Sequence, residues 1–166
     1  MVLPVTTMSR SIRWSVVVLA ALVGCVSAVG VAAAQSADVC RTVAPGAVAL
    51  KKALGAGSFA PISNPGPPPY CGVAGAGATS ARIYLYPKGA AAKIKAQLGA
   101  AFPGRAPRKQ SLIGLGSGAT IEYVPGDTSS VLVYFTAGSH FIVITGSSTK
   151  NAQIVALARA VRAKLV

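Results

Sequence analysis

Apolar positions follow two rhythms along residues 39–166, and the rhythms mark out the elements. Over residues 79–86, Ala81, Ile83 and Leu85 alternate with Arg82, Tyr84 and Tyr86, the period of a strand with one apolar face. Residues 72–76 precede them across Gly75-Ala76-Gly77 and predict a paired strand. Three further apolar runs, 119–124, 131–136 and 141–145, are separated by the turn signals Pro125-Gly126-Asp127 and Ala137-Gly138, which predicts an antiparallel meander.

The helical rhythm occurs three times. Within residues 39–54, Ala47, Leu50 and Leu54 keep helical spacing, with Pro45 as a start and Gly55 as a stop, so one short helix is expected. Ala90, Ala91, Ile94, Leu98 and Ala101 predict a second, ending at Pro103-Gly104. A third covers residues 151–165, where Ile154, Leu157, Ala158, Val161 and Leu165 share a face while Arg159, Arg162 and Lys164 project elsewhere; Ser148 or Thr149 is its expected cap. Pro61-Ile62-Ser63-Asn64-Pro65-Gly66-Pro67-Pro68-Pro69 reads as a stiff extended loop, or alternatively as a proline-rich ligand motif. The expected order is α-β-β-α-β-β-β-α. That is an α+β domain with about five antiparallel strands and helices packed on them.

Residues 1–34 stand outside this pattern. Arg10 and Arg13 precede the uncharged apolar stretch 14–34, the layout of an export signal, with small residues at Ala32-Ala33-Ala34 for cleavage before Gln35. Two other fates are open to it. The stretch is about long enough to remain as a membrane anchor, and Leu22-Val23-Gly24-Cys25 resembles the lipobox in which the cysteine, here Cys25, is acylated. Export leaves the pair Cys40 and Cys71 in the mature domain 35–166, for which a disulfide is the natural reading; two buried thiols are the alternative. Zinc is disfavoured, because His140 is the one histidine and four ligands are normally needed.

Composition then narrows the function. The chain holds 16 Lys+Arg against 3 Asp+Glu, a net charge of +13, while 52% of its residues are hydrophobic. That much apolar surface argues for a folded domain over a disordered basic tail. Residues 1–34 take away only Arg10 and Arg13, so the mature part keeps 14 basic residues against the same 3 acidic ones, or +11. Such a field attracts phosphates of lipid or lipopolysaccharide; Lys88, Lys93, Lys95, Arg105, Arg108 and Lys109 are the candidate anion-binding residues. Other groups are Lys51 with Lys52, and Arg159, Arg162 and Lys164. Solubility alone also accounts for surface charge. Nucleic acid is a less expected partner, since an exported protein seldom meets it and no groove-reading element stands out. Arg82, Tyr84 and Tyr86 form either a stacking platform or, beneath a covering helix, part of a core.

The element Gly114-Leu115-Gly116-Ser117-Gly118-Ala119, the apolar hairpin after it and the terminal amphipathic helix resemble small exported bacterial domains of unknown function. Among these are actinobacterial cysteine-containing lipoproteins and the extracellular sensor domains fused to some kinases. There a GLGD-x-A segment precedes the hairpin and the early part carries a cysteine pair; here Ser117 stands in place of Asp. The resemblance implies an extracytoplasmic binding or sensing role and brings no catalytic residues.

Catalysis has little to work with. The glycines at 114, 116 and 118 lack the spacing of a dinucleotide or phosphate loop and read as a turn that needs unusual φ. A nucleophilic serine has only His140 for a base; Ser117 lacks a nucleophile elbow, and Ser139, adjoining His140 at a strand start, is expected to point away from it. Of the carboxylates, Asp38 and Asp127 suit capping and turn formation, and Glu122, inside a strand, suits an ion pair. The expectation is therefore a non-catalytic exported domain without cofactor or metal, binding an anionic envelope component or a partner protein. The alternatives are a secreted hydrolase using His140 or Glu122, and a secreted inhibitor of another protein.

Overall fold

Among the described residues, seven antiparallel strands form one sheet in the order β1-β2-β3-β7-β6-β5-β4. The computed structural model describes residues 38–55, 60–75, 79–100, 108–123, 130–147 and 151–166; the expected export segment with Cys25, Arg105, the expected turn at 125–127 with Asp127, and the expected caps Ser148 and Thr149 lie outside them. The strands are β1 (Ile62–Asn64), β2 (Tyr70–Ala74), β3 (Ser80–Pro87), β4 (Arg108–Ser111), β5 (Thr120–Tyr123), β6 (Ser130–Ala137) and β7 (His140–Ser147). The helices are α1 (Val39–Val43), α2 (Ala47–Leu54), α3 (Ala91–Ala100) and α4 (Asn151–Leu165), with a 3-10 turn at Lys88–Ala90 leading into α3. The class is α+β, as expected, with more elements than the sequence pattern predicted.

The additional helix arises at Pro45. A residue before proline is driven out of the helical region, and Ala44 is extended at φ −67°, ψ 125°. Residues 39–54 thus form two helices in place of one. Asp38 caps α1, accepting from the Arg41 N–H at 3.3 Å, and Gly55 closes α2 with its N–H on the Lys51 carbonyl at 2.9 Å.

Both additional strands are edges. The proline stretch expected as a loop contains β1, which pairs with β2 through Ile62↔Gly72 and Asn64↔Tyr70; proline is tolerated beside an edge strand because its missing donor faces away from the ladder. β4 has the sequence RKQS, exposed at every position, and so carries no apolar alternation. Arg108 and Lys109 on such an edge discourage further strand addition.

The two sheet faces are covered unequally. Cys71, Val73, Ala81, Ile83, Ile121, Val131, Val133, Phe135, Ile142 and Ile144 turn to one side, where α1, α2 and α4 pack. Ile154, Leu157, Ala158 and Val161 of α4 are buried there, the face the helical spacing predicts. Leu132, Tyr134, Phe141 and Val143 turn to the other side and meet α3 through Leu98, Ala91 and Ile94. The central strands β6 and β7 are thus apolar on both faces, which accounts for their unbroken apolar runs. A Cys40–Cys71 disulfide, Cα atoms 4.8 Å apart, ties α1 to β2.

Candidate functional site

The charged residues fall into two settings. On the α3 side of the sheet, Glu122 is buried at 4% exposure. Its Oε1 accepts from the Tyr134 hydroxyl at 2.6 Å and lies 2.8 Å from Lys109 Nζ, while its Oε2 is buried with no hydrogen-bond partner. The register puts Lys109 directly opposite Glu122, so the ion pair expected for this carboxylate is formed. Hydrogen bonding to Glu122 raises the Lys109 pKa; burial, then the same carboxylate, raises that of Tyr134. Lys95 comes down from α3 with Nζ 5.0 Å from the Tyr134 ring centroid and 5.7 Å from that of Phe141, within cation–π range.

The six candidate anion-binding residues are therefore not one patch. Lys95 and Lys109 converge on Tyr134, at its ring and, through Glu122, at its hydroxyl. Arg108, next to Lys109 along β4, stacks instead over Tyr123 at 5.6 Å, and Tyr123 packs against the larger core. Alternation along a strand separates the two. Lys88 and Lys93 are exposed on the 3-10 turn and α3, and Arg105 lies outside the described residues.

Nearby, Tyr70, Tyr84 and Tyr86 form an aromatic ladder with centroids 5.5 and 6.5 Å apart, and Arg82 sits 5.2 Å over Tyr70. Tyr84 and Tyr86 pack against the cluster beneath α3, so the helix makes them partly core. Burial lifts the Tyr86 pKa to about 12, helped by Tyr84, and also lifts that of Tyr84.

The second setting is at the glycine run. Gly114, Gly116 and Gly118 have φ of +86°, +96° and +75°, so the segment is the turn that their sequence predicts. It is pinned to the fold. Leu115 is fully buried, the Leu112 N–H bonds Ala119 O at 3.0 Å, and Arg162 Nη1 donates to Gly114 O at 2.7 Å. A shallow groove of ≈ 450 Å³ opens beside it, lined by Gly114, Arg159, Arg162, Ala163 and Val166. The Nε of Arg162 is buried without a partner.

The third basic residue of α4 has a structural role: Lys164 Nζ donates to Arg41 O and Ala44 O, both at 2.7 Å, holding carbonyls at the end of α1.

The remaining carboxylate and the histidine are also placed. Asp38 accepts from the Ser63 hydroxyl and from the Arg41 N–H; the Ser63 bond, then backbone N–H groups, lower its pKa. Ser139 does not point away from His140: its Oγ lies 3.4 Å from His140 Nδ1. Strand alternation does not apply, because Ser139 sits in the hairpin turn beside Gly138 at φ +55°. Neither His140 nor Glu122 lines the α4 groove. Among the described residues no group of three or more His, Cys, Asp or Glu is arranged to hold a metal, and no helix is long and apolar enough to cross a membrane.

The groove was only half legible. Arg159 and Arg162 are readable as cations off the apolar face of a helix, but nothing in the sequence brings the glycine loop to them. No family model, curated protein or solved structure matches the chain.

Proposed function

We propose that this protein is an exported, non-catalytic domain that binds an anionic component of the cell envelope through its basic surface. The observation that carries the reading is the state of its carboxylates. The chain has three against 16 Lys+Arg. Of the two described, Asp38 is engaged by the cap of α1 and by Ser63, and Glu122 is buried under Tyr134 and Lys109. Lys109–Glu122 is the one ion pair among the described residues. The remaining surface cations keep their field for an external anion. The Cys40–Cys71 bridge fits an oxidising compartment, and the resemblance to exported binding and sensing domains points the same way.

The test is co-sedimentation with vesicles of phosphatidylglycerol and phosphatidylcholine, compared with phosphatidylcholine alone, over a salt series. Binding that requires the anionic lipid and weakens steeply with salt supports the reading. Equal partitioning onto both vesicle types, or none onto the anionic ones at low salt, removes the lipid form of it.

A further inference from the structure

The anionic-surface reading does not say which face meets the membrane, and three exposed aliphatic side chains on well-defined elements compete for the role. Ile62 lies on the edge strand β1 between prolines, with no cation beside it in sequence. Val48 shares α2 with Lys51 and Lys52. Ile113 is joined in the chain to Gly114, a wall of the groove that Arg159 and Arg162 line.

Ile113 is 91% exposed although it stands between Leu112, which packs on the core, and the buried Leu115. A loop free to relax would tuck such a side chain away. This one is held by Leu115, by the Leu112–Ala119 backbone bond and by the Arg162–Gly114 bond at 2.7 Å, so Ile113 is displayed on backbone tied to the fold at both sides. Directly next to it, Gly114 forms one wall of the groove whose other walls include Arg159 and Arg162. A fourth aliphatic side chain, Val166, 85% exposed, borders the same groove. Arg162 spends Nη1 on Gly114 O and its Nε is buried, so Nη2 is the nitrogen left to donate to a phosphate oxygen.

An aliphatic tip beside paired guanidiniums matches the boundary of an anionic bilayer, where apolar side chains enter the headgroup–acyl border and cations meet phosphate. Resting on the reading above, we infer that the loop of residues 112–118 and the Arg159–Val166 end of α4 are the membrane-contact surface. There Arg159 and Arg162 hold a lipid phosphate and Ile113 inserts beside it.

The experiment uses the full exported chain, so that whatever residues 14–34 contribute is common to every variant. The salt-sensitive partitioning onto phosphatidylglycerol vesicles is compared for Ile113→Ser with Arg159→Gln and for the matched pair Val48→Ser with Lys52→Gln. One surface cation is worth about fivefold in partitioning. With the inserted isoleucine lost as well, the first pair is expected to lose at least about tenfold, and the second no more than about twofold. Both altered pairs are on exposed side chains, and Arg162, which holds the loop, is left intact. As an independent readout, Ile113→Trp is expected to shift its emission to the blue and be quenched by acyl-chain labels on binding, whereas Val48→Trp is not. Equal losses from the two pairs, or no quenching at position 113 while the protein binds, overturn the assignment and leave the general reading standing. Failure of the unmodified chain to bind anionic vesicles at low salt removes that reading itself.

Discussion

Tyr134 and Glu122 form a diagonal cross-strand pair. Glu122 stands opposite Leu132 and Tyr134 opposite Thr120, yet the phenol reaches back to Oε1 at 2.6 Å. Diagonal neighbours on one sheet face are within reach of a side chain this long. The carboxylate is thereby held from both flanks, by a buried hydroxyl on β6 and a half-exposed cation on β4.

The two flanks should differ in weight. Tyr134→Phe leaves a buried carboxylate short of a donor and is expected to cost about 1–3 kcal/mol. Lys109→Met removes a cation whose side chain is 53% exposed, where solvent screening limits the loss to about 1 kcal/mol or less. Urea unfolding near neutral pH measures both. A larger loss for Lys109→Met would mean that the ion pair, and not the phenol, holds Glu122 in place.

Two glycines should respond to alanine with opposite signs. A Cβ on Gly75 would lie 2.7 Å from the Leu54 carbonyl oxygen and 2.8 Å from Leu54 Cβ, and Leu54 is fully buried. Neither atom moves without shifting α2 from the sheet, so Gly75→Ala is expected to destabilise by about 1–3 kcal/mol. Gly99, near the end of α3, has nothing within 4 Å of the added atom, and Gly99→Ala should stabilise by about 0.5 kcal/mol through helix propensity. Denaturation midpoints of the two variants against the unmodified chain decide the matter.

The disulfide closes a loop with a sequence separation of 31 residues. On the chain-entropy model, Cys40→Ser with Cys71→Ser should destabilise by about 3–4 kcal/mol. Reductant should shift the unfolding midpoint of the unmodified chain by a similar amount and leave the double variant unchanged. An intact mass measured before and after alkylation identifies the bridge, and on protein purified from its native source it also reports whether cleavage after Ala34 or acylation of Cys25 takes place.

What the sequence made legible was whatever burial had written into it. The alternation of Ala81, Ile83 and Leu85, the apolar face of α4 and the Cys40–Cys71 pair all correspond to groups buried in the core or packed against it, and each is found where the pattern puts it. The edge strands were illegible because exposure leaves no period: Arg108–Ser111 buries nothing, and Ile62–Asn64 lies among prolines. The break at Pro45 is ambiguous in the sequence, since the same residue that suits a helix start also ends the helix before it. The groove depends on contacts such as Arg162 with Gly114, 48 residues apart, which no local pattern encodes. Charge behaves alike, for counting cations does not reveal that Lys95, Lys109 and Lys164 are already engaged by a ring, a carboxylate and two carbonyls.

Alkaline pH should probe the α3 face selectively. Burial raises the phenol pKa values of Tyr84, Tyr86 and Tyr134 above the ordinary 10, with Tyr86 at about 12. A group that binds its proton more tightly when folded contributes its full stabilisation below the unfolded pKa and loses it as pH rises through the folded one. Stability should therefore hold up to about pH 10 and fall between 10 and 12, as unfolded phenols ionise and folded ones resist. Tyrosinate absorbance from Tyr84, Tyr86 and Tyr134 is expected to be delayed and to coincide with unfolding. Tyr86→Phe removes the largest of these shifts and should flatten the stability loss over that interval. Ionisation of these three phenols near pH 10 with the fold intact would mean that α3 does not shield this face in solution.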